Sequence, residues 1–241
     1  MTSGPGGAGE HLEHWKVPVM GLPIHLDTFI MTGLAIAALL IVIYFATRKL
    51  TAGVPRGAQN FIEVIVEFIE NTVRENLPVN IPWITPLALT LFLFILFANW
   101  VGEIPTLKSP TADINTPVAL AIISFVLLIF YSFKFKGFKG YTSEFLFHPF
   151  GKWMLPLNLF MKLVEEIAKP ASLSLRLFGN MFAGEVMILL IAMLIPWYFN
   201  WTTGVLWLGW HLFVGLIQAF VFTILTIVYI AIAQQQFEEH G

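Results

Sequence analysis

Residues 172–194 have the sequence SLSLRLFGNMFAGEVMILLIAML, in which only Arg176 and Glu185 are charged. A run of this length and apolarity is long enough to cross a bilayer as a helix. An arginine at the bilayer centre costs about 2.5–3.5 kcal/mol on translocon scales, and its guanidinium stays protonated in proteins. Arg176 is therefore predicted to be a fixed positive charge at membrane depth that faces water or an anionic partner.

The composition of the whole chain supports a membrane location. Of its 241 residues, 57% are hydrophobic and 12% are charged, whereas a soluble domain carries about 25% charged residues. The absence of cysteine excludes disulfides and cysteine-ligated iron–sulfur clusters. Residues 1–26 lack the charged-then-apolar order of a cleaved signal peptide, so the first apolar segment is predicted to be an uncleaved anchor.

Hydropathy predicts an all-α integral membrane protein with an extracytoplasmic N-terminal tail, 1–26, and a single membrane domain, 27–241. Five segments are apolar enough to cross the membrane, at about 27–46, 83–101, 118–133, 156–196 and 205–233. The last two exceed an upright span. Residues 205–233 would extend about 43 Å, against a hydrocarbon core of about 30 Å. Both are therefore predicted to be long helices that are strongly tilted or broken. The first of them, 156–196, is predicted to be kinked at Pro170.

The segment at about 60–77 is predicted to be an amphipathic helix lying along the membrane surface. Four charged residues recur at spacings of 4, 3 and 4 and share one helical face: Glu63, Glu67, Glu70 and Arg74. Because this face is mainly acidic, docking on protein is favoured over attraction to anionic lipid. The alternative is an ordinary buried helix with one wet face.

Basic residues flank the spans unevenly, and this bias predicts the orientation. Eight fall on one side, taken as cytoplasmic: Arg48, Lys49, Arg56, Arg74, Lys134, Lys136, Lys139 and Lys152. Only Lys16 and Lys108 fall on the other side. Five crossings then place the N-terminus outside and the C-terminus in the cytoplasm.

Arg176 shares a helical stripe with small residues, which let another helix approach closely. These residues are Ala168, Ser172, Gly179 and Ala183. One hypothesis is a partner helix that bears a negative charge; the alternative is packing within the chain, with Arg176 paired to its own carboxylate. Glu185 is a poor candidate for that carboxylate, since nine residues correspond to 900° of turn and about 13.5 Å along a helix.

Titratable and amide groups in the last two spans are candidates for a proton path. Glu185 and His211 are ionisable residues at membrane depth, which mark proton relays, and the imidazole titrates near neutral pH. Gln218 lies seven residues after His211 and so shares its helical face. The alternatives are a hydrogen-bonded helix contact for His211 and interhelical structural bonding for Gln218.

Two further polar clusters lie near the ends of spans. Residues 109–115, SPTADIN, contain Asp113 and Asn115, which form either a proton entrance or a turn that caps the next helix. On the other side are four charged residues: Lys162, Glu165, Glu166 and Lys169. Their spacing of 3 or 4 allows them to line an aqueous exit or simply to pair with one another.

Other chemistries lack their motifs. The sequence has no Gly-x-x-x-x-Gly-Lys-[Ser/Thr] loop, no His-Glu-x-x-His and no Gly-x-Ser-x-Gly. Haem held between helices usually needs two axial ligands, and only one histidine lies within a predicted span. We therefore expect no nucleotide, metal or other cofactor on this chain.

The motif SLSLRLFGNMFAGE, residues 172–185, resembles the signature of subunit a of F-type ATP synthases. The similarity extends to QAFVFTILTIVY at 218–229, PTADIN at 110–115 and PLALT at 86–90, and covers the chain from about Asp27 to its end. The resemblance implies a proton-translocating stator subunit of the Fo sector. Its partners would be a ring of small hairpin c subunits, peripheral-stalk b subunits, the F1 sector indirectly and membrane lipid.

The resemblance also implies roles for individual residues. Arg176 would face the ring carboxylates and separate two offset half-channels. The outer half-channel would use Asn180, Glu185, His211, Gln218, Asp113 and Asn115. The inner one would use Glu165, Glu166 and Ser172, although some relatives carry an acidic residue where Lys162 stands. A bacterial plasma (inner) membrane is the expected location.

Two other classes of function compete with this one. A self-contained secondary transporter would use Arg176 to bind an anionic substrate, but transporters usually show paired broken helices or internal repeats. This sequence shows neither. A membrane anchor without a transport role would leave Arg176 and Glu185 unexplained.

Overall fold

A computed structural model describes residues 16–19, 22–48, 57–79, 81–104, 109–147 and 152–234 of the chain. The predicted tail before residue 16 lies outside these ranges, as do the basic residues Lys49, Arg56 and Lys108. The predictions that fall on those positions therefore have no structural counterpart.

Within this part of the chain the structure is almost entirely helical. A hairpin of β1 (Lys16–Val19) and β2 (Leu22–His25) precedes α1 (Leu26–Thr47), α2 (Ala58–Asn76), α3 (Ile84–Gly102), α4 (Asn115–Phe147), α5 (Leu155–Leu194) and α6 (Trp197–Gln234). Five helices are long and apolar enough to span a membrane, namely α1, α3, α4, α5 and α6. The predicted all-α integral membrane fold is confirmed.

The short antiparallel hairpin was not predicted. It falls within the expected tail, pairs Lys16 with His25 and Val19 with Leu22, and leads directly into α1. Its strands are only four residues each, and Pro18 opposes Pro23. Since proline has no N–H to donate, this ladder is too weak to be recognised from alternating hydropathy.

The core lies between α3 and α6, with α4 and α5 packed against them. Buried apolar side chains from all four helices form one cluster, including Ile95, Leu128, Leu177 and Phe222. α1 is peripheral and contacts α3 through small residues, with Ala35 against Ala98 and Val101. This arrangement leaves the surfaces of α1 and α5 largely open, while α3 and α6 are about half buried.

The helix α2 forms close to its predicted bounds and is amphipathic. It buries Ile69 and Val73 against the core, while Phe61, Val64 and Phe68 remain exposed. Its five charged residues keep it out of the group of helices that can span a membrane, although it is as long as α3.

The helix that carries the predicted third span, 118–133, extends beyond it at both ends. α4 starts at Asn115 and continues to Phe147, with one non-helical residue at Gly137 (φ 67°, ψ 171°). Glycine adopts a positive φ at no steric cost, so the break is local and the helix resumes. Tertiary contacts hold the second half, including the Phe133–Tyr141 ring pair at 4.6 Å.

The last two spans are longer than any upright crossing. α5 has 40 residues and α6 has 38, or about 60 Å and 57 Å of helix at 1.5 Å per residue. α5 is continuous through Pro170. α6 begins at Trp197 instead of the predicted 205, because the Pro196 carbonyl accepts the N–H groups of Phe199 (2.9 Å) and Asn200 (3.0 Å) and starts the helix.

Candidate functional site

Arg176 lies on the open face of α5. The positions around it, Leu173 and Leu177, are buried in the core, whereas the Arg176 side chain is exposed. The small residues of its stripe are exposed with it: Ala168, Ser172, Gly179 and Ala183. No carboxylate in the described ranges lies in an ion pair with Arg176. Within those ranges, the alternative of internal neutralisation is wrong.

Glu185 points into the chain and away from that face. It is half-buried, and one carboxylate oxygen accepts the backbone N–H of Ser109 at 3.1 Å. Ser109 belongs to the turn before α4, so this bond ties α5 to the SPTADIN segment. This orientation agrees with the prediction that Glu185 is poorly placed to pair with Arg176.

His211 is buried between two acceptors. Its Nδ1 is hydrogen-bonded to a carboxylate oxygen of Glu103, and its Nε2 lies 3.2 Å from the backbone carbonyl of Asn180. The carbonyl accepts only, so Nε2 carries a hydrogen in this geometry. The proton between Nδ1 and Glu103 can then belong to either group, as imidazolium with carboxylate or imidazole with carboxylic acid. A proton can therefore shift between the two groups without moving heavy atoms.

Gly184 provides the space for this imidazole. A Cβ at Gly184 would lie 1.9 Å from Nε2 and 2.0 Å from Cε1 of His211. Trp207 covers the ring in parallel at 6.3 Å between centroids and donates its indole N–H to the Gly184 carbonyl at 3.4 Å. Trp207 therefore packs on His211.

Asn180 joins the imidazole to Gln218. Its side-chain amide donates to Gln218 Oε1 at 2.7 Å, while its backbone carbonyl faces His211. The Gln218 Nε2 group is buried and has no hydrogen-bond partner in the described part of the chain. A buried unpaired donor costs about 1–3 kcal/mol, so this amide is poised to bond a water or a group supplied from outside the chain.

A second polar line, which the sequence did not predict, runs beside the first. Ser109 and Thr111 share a hydroxyl–hydroxyl bond of 2.7 Å, Thr111 donates to Asn99 Oδ1 at 2.7 Å, and Asn99 donates to the Gly215 carbonyl at 3.2 Å. Through Ser109 this line reaches Glu185. Hydroxyls and amides thus connect α3, α5 and α6 at the level of His211.

Asp113 and Asn115 form the cap that was one of their two predicted alternatives. Asp113 Oδ1 accepts the backbone N–H of Asn115 (3.2 Å) and its side-chain amide (2.9 Å) at the start of α4. Asp113 Oδ2 accepts the hydroxyl of Thr28 on α1 at 2.5 Å. The same residues line a cavity of about 550 Å³ with Thr32, so a capping role and an entrance role are compatible here.

The charged residues of α5 before Arg176 pair with one another. Lys162 contacts Glu165 (3.4 Å) and Glu166 (3.6 Å), and Lys169 contacts the same two carboxylates at 2.8 Å and 3.0 Å. The network extends to α4 through Glu144, whose carboxylate forms ion pairs with Lys136 at 2.7 Å and with Lys162 at 3.5 Å. The structure therefore contains the ion pairs that were one of the two predicted alternatives for these residues. Ser172 is exposed and donates to the Lys169 carbonyl at 3.1 Å.

Two carboxylates of these sites, Glu103 and Glu144, were missed by the sequence analysis. Glu103 closely follows an apolar span, so its position as an ionisable group at a membrane edge could have marked it as a candidate. Its partner His211 is 108 residues away, however, and helical spacing cannot connect them. Glu144 was missed because it lies beyond the predicted third span, 118–133.

Comparison with known sequences identifies the family. A sequence model described as ATP synthase A chain matches residues 29–231, which include Arg176, Glu185 and His211. The chain belongs to this family. The ATP synthase subunit a of Alkalilimnicola ehrlichii is 44% identical over 245 aligned positions, covering 95% of both chains. Those of Ruthia magnifica subsp. Calyptogena magnifica and Coxiella burnetii are 42% and 38% identical, covering 88% and 93% of this chain and 82% and 94% of their own.

Membership of the ATP synthase A chain family confirms the resemblance inferred from residues 172–185. The match begins within α1 and ends within α6, so it covers the whole helical bundle. The five long apolar helices agree with an integral, multi-pass membrane protein.

Proposed function

We propose that this chain is the proton-translocating stator subunit of the membrane (Fo) sector of a rotary ATP synthase. The observation that carries the proposal is the exposed guanidinium of Arg176, which lies on a face of small residues without an anion in the described part of the chain. A cation that cannot deprotonate and lies midway along a 40-residue apolar helix requires an external anion. Family membership supports a partner that supplies it.

The partner in this proposal is a ring of small hairpin subunits, each with a membrane-buried carboxylate. Arg176 attracts each carboxylate in its ionised form and blocks direct proton passage between two offset half-channels. The absence of a bulky side chain at Gly179 and Ala183 allows the ring helices to come close. The membrane potential contributes about 2.3 kcal/mol per charge per 100 mV to the transfer.

The outer half-channel in this proposal follows the polar groups of α3, α5 and α6. A proton enters near Asp113 and Asn115 beside the cavity and passes Glu185 and the Ser109 turn. It then reaches the shared position between Glu103 and His211. Asn180 and Gln218 connect that pair to the face of α5 that carries Arg176. This support is geometric, since consecutive groups lie within hydrogen-bond distance at several of these steps.

The inner half-channel begins at Ser172, one helical turn before Arg176 on the same exposed face. Glu165 and Glu166 lie further along α5 in that direction. Glu165 keeps 53% of its side chain exposed and can reach water, whereas Glu166 is nearly enclosed by Lys162 and Lys169. Glu165 is therefore the better exit group of the two.

The assembly in this proposal includes the c-ring, peripheral-stalk b subunits and, indirectly, an F1 sector that performs the ATP chemistry. The N-terminus lies outside and the C-terminus in the cytoplasm of a bacterial inner membrane, as the distribution of basic residues predicts. A secondary transporter would need a substrate cavity at Arg176. The 550 Å³ cavity lies instead between α1, α3 and α4.

Replacing the arginine tests the proposal. Arg176→Ala should abolish proton-driven ATP synthesis in membrane vesicles while the complex still assembles with its ring, because the fixed charge is lost and the exposed position tolerates alanine. Arg176→Lys should also be severely impaired, since an ammonium can lose its proton when buried. Arg74→Ala, an exposed arginine on α2, is the control and should synthesise ATP normally. Retained synthesis in Arg176→Ala would remove the mechanism.

A further inference from the structure

Three lysines follow the apolar part of α4, and in the described part of the chain one of them is paired with a carboxylate. Lys136 forms the 2.7 Å ion pair with Glu144 and its side chain is nearly enclosed. Lys134 and Lys139 are exposed, and neither is in an ion pair within the described ranges. Lys134 instead lies over the ring of Tyr131, with its Nζ 5.8 Å from the ring centroid.

The break at Gly137 places aromatic rings beside these two lysines. Phe133 and Phe138 are parallel, with an interplanar angle of 13° and 6.0 Å between centroids, although they are five residues apart. The irregular backbone at Gly137 therefore keeps positions five apart on one side of α4. Lys134 and Lys139 each follow one of the stacked rings by one position in the sequence, so the exposed part of α4 around Gly137 carries both lysines and both rings.

The rings are too exposed for a surface that faces only water or protein. Phe138 has 73% of its surface open, and Phe133 has 38%. Contiguous apolar surface of this kind marks an interaction site when it adjoins polar groups. The uncharged run of α4 ends at Phe133, before Lys134, which puts the ring pair where acyl chains give way to headgroups.

We propose that Lys134, Lys139, Phe133 and Phe138 form a binding site for the headgroup of an anionic phospholipid. The two ammonium groups bind the phosphodiester, and the ring pair lies against the glycerol and upper acyl chain. A free phosphate would leave the rings in water, and a zwitterionic headgroup carries an ammonium that opposes the lysines. The combination of two unpaired cations with an apolar surface fits an anionic lipid.

The test uses the purified full-length chain in detergent, titrated with phosphatidylglycerol and monitored by native mass spectrometry. Wild type should bind phosphatidylglycerol in preference to phosphatidylcholine. Lys134→Gln/Lys139→Gln should weaken the apparent affinity for phosphatidylglycerol about 30-fold, which is about 2 kcal/mol at 1.4 kcal/mol per tenfold. Lys134→Arg/Lys139→Arg should bind as wild type does.

Matched controls separate this site from general charge effects. Arg74→Gln removes an exposed cation on α2 whose partner is Glu70, and it should leave the affinity for phosphatidylglycerol unchanged. Phe138→Ala should weaken lipid binding without changing the charge. The melting temperature in phosphatidylcholine should be the same for every variant, because all the changed side chains are exposed.

Three results would overturn the proposal. The first is unchanged phosphatidylglycerol affinity in the double glutamine variant. The second is an equal loss of affinity in Arg74→Gln, which would show attraction to the whole basic surface. The third is competition by inorganic phosphate at matched concentration, which would show an anion site without a lipid contribution.

Discussion

Gly184→Ala is the most direct test of the His211 site, because it adds one methyl group at a defined point. The new Cβ would lie 1.9 Å from His211 Nε2, 2.0 Å from Cε1 and 2.6 Å from Cδ2. The ring cannot tilt freely, since Trp207 covers it in parallel. It must therefore move away from the Asn180 carbonyl and from Glu103, or α5 and α6 must separate.

Both responses have a predictable magnitude. Adding a methyl group to a packed site costs about 1–3 kcal/mol. Each kcal/mol lowers the melting temperature of a chain of this size by about 2–4 °C, so a decrease of about 2–12 °C is expected. Proton-driven ATP synthesis should fall by more than the loss of folded protein, because the displaced imidazole no longer shares a proton with Glu103.

The assays are ATP synthesis in vesicles and thermal unfolding of the purified chain. Gly209→Ala is the matched control, since its Cβ would meet nothing within 4 Å two residues before His211. In a His211→Ala background the thermal cost of Gly184→Ala should largely disappear, because the clashing ring is gone. Equal stability and ATP synthesis in Gly184→Ala and Gly209→Ala would refute the close packing that the structure gives to His211.

Two other predictions concern the carboxylates that the sequence analysis missed. Glu103→Gln keeps the shape of the side chain but removes the group that exchanges a proton with His211, so ATP synthesis should fall sharply while thermal stability changes little; normal ATP synthesis would exclude Glu103 from the path. Glu144→Ala should destabilise the purified chain by up to about 3–5 kcal/mol, because it leaves Lys136 and Lys162 nearly enclosed with fewer anions. Glu70→Ala breaks an exposed ion pair and should cost no more than about 1 kcal/mol, and an equal cost in both variants would contradict the burial of the network.

Hydropathy was sufficient for the fold class because the bilayer imposes a minimum apolar length on every span. It failed at α4, where Lys134, Lys136 and Gly137 interrupt the apolar run although the helix continues. The second half of α4 is held by the contact of Glu144 with Lys162, which lies on another helix. Such a contact depends on how the helices are placed, and local sequence does not specify it.

The candidate site was predictable along each helix and unpredictable between helices. Helical spacing placed His211 and Gln218 on one face of α6 and separated Glu185 from Arg176, and the structure agrees with both. The partners across the bundle were beyond this reasoning. Glu103 pairs with His211 only because Gly184 lets α5 and α6 approach at that point.

The distribution of charge along α5 explains why Arg176 stands apart. Six charged side chains before it form a network with three ammonium and three carboxylate groups, so that region needs no external ion: Lys136, Lys162, Lys169, Glu144, Glu165 and Glu166. Seven residues after Lys169, the chain presents a guanidinium with no such balance in the described ranges. A helix that neutralises the charges before Arg176 could have neutralised this one as well. The need for an anion is therefore confined to a single exposed point, and an ion that binds there must come from a neighbouring molecule and can leave again.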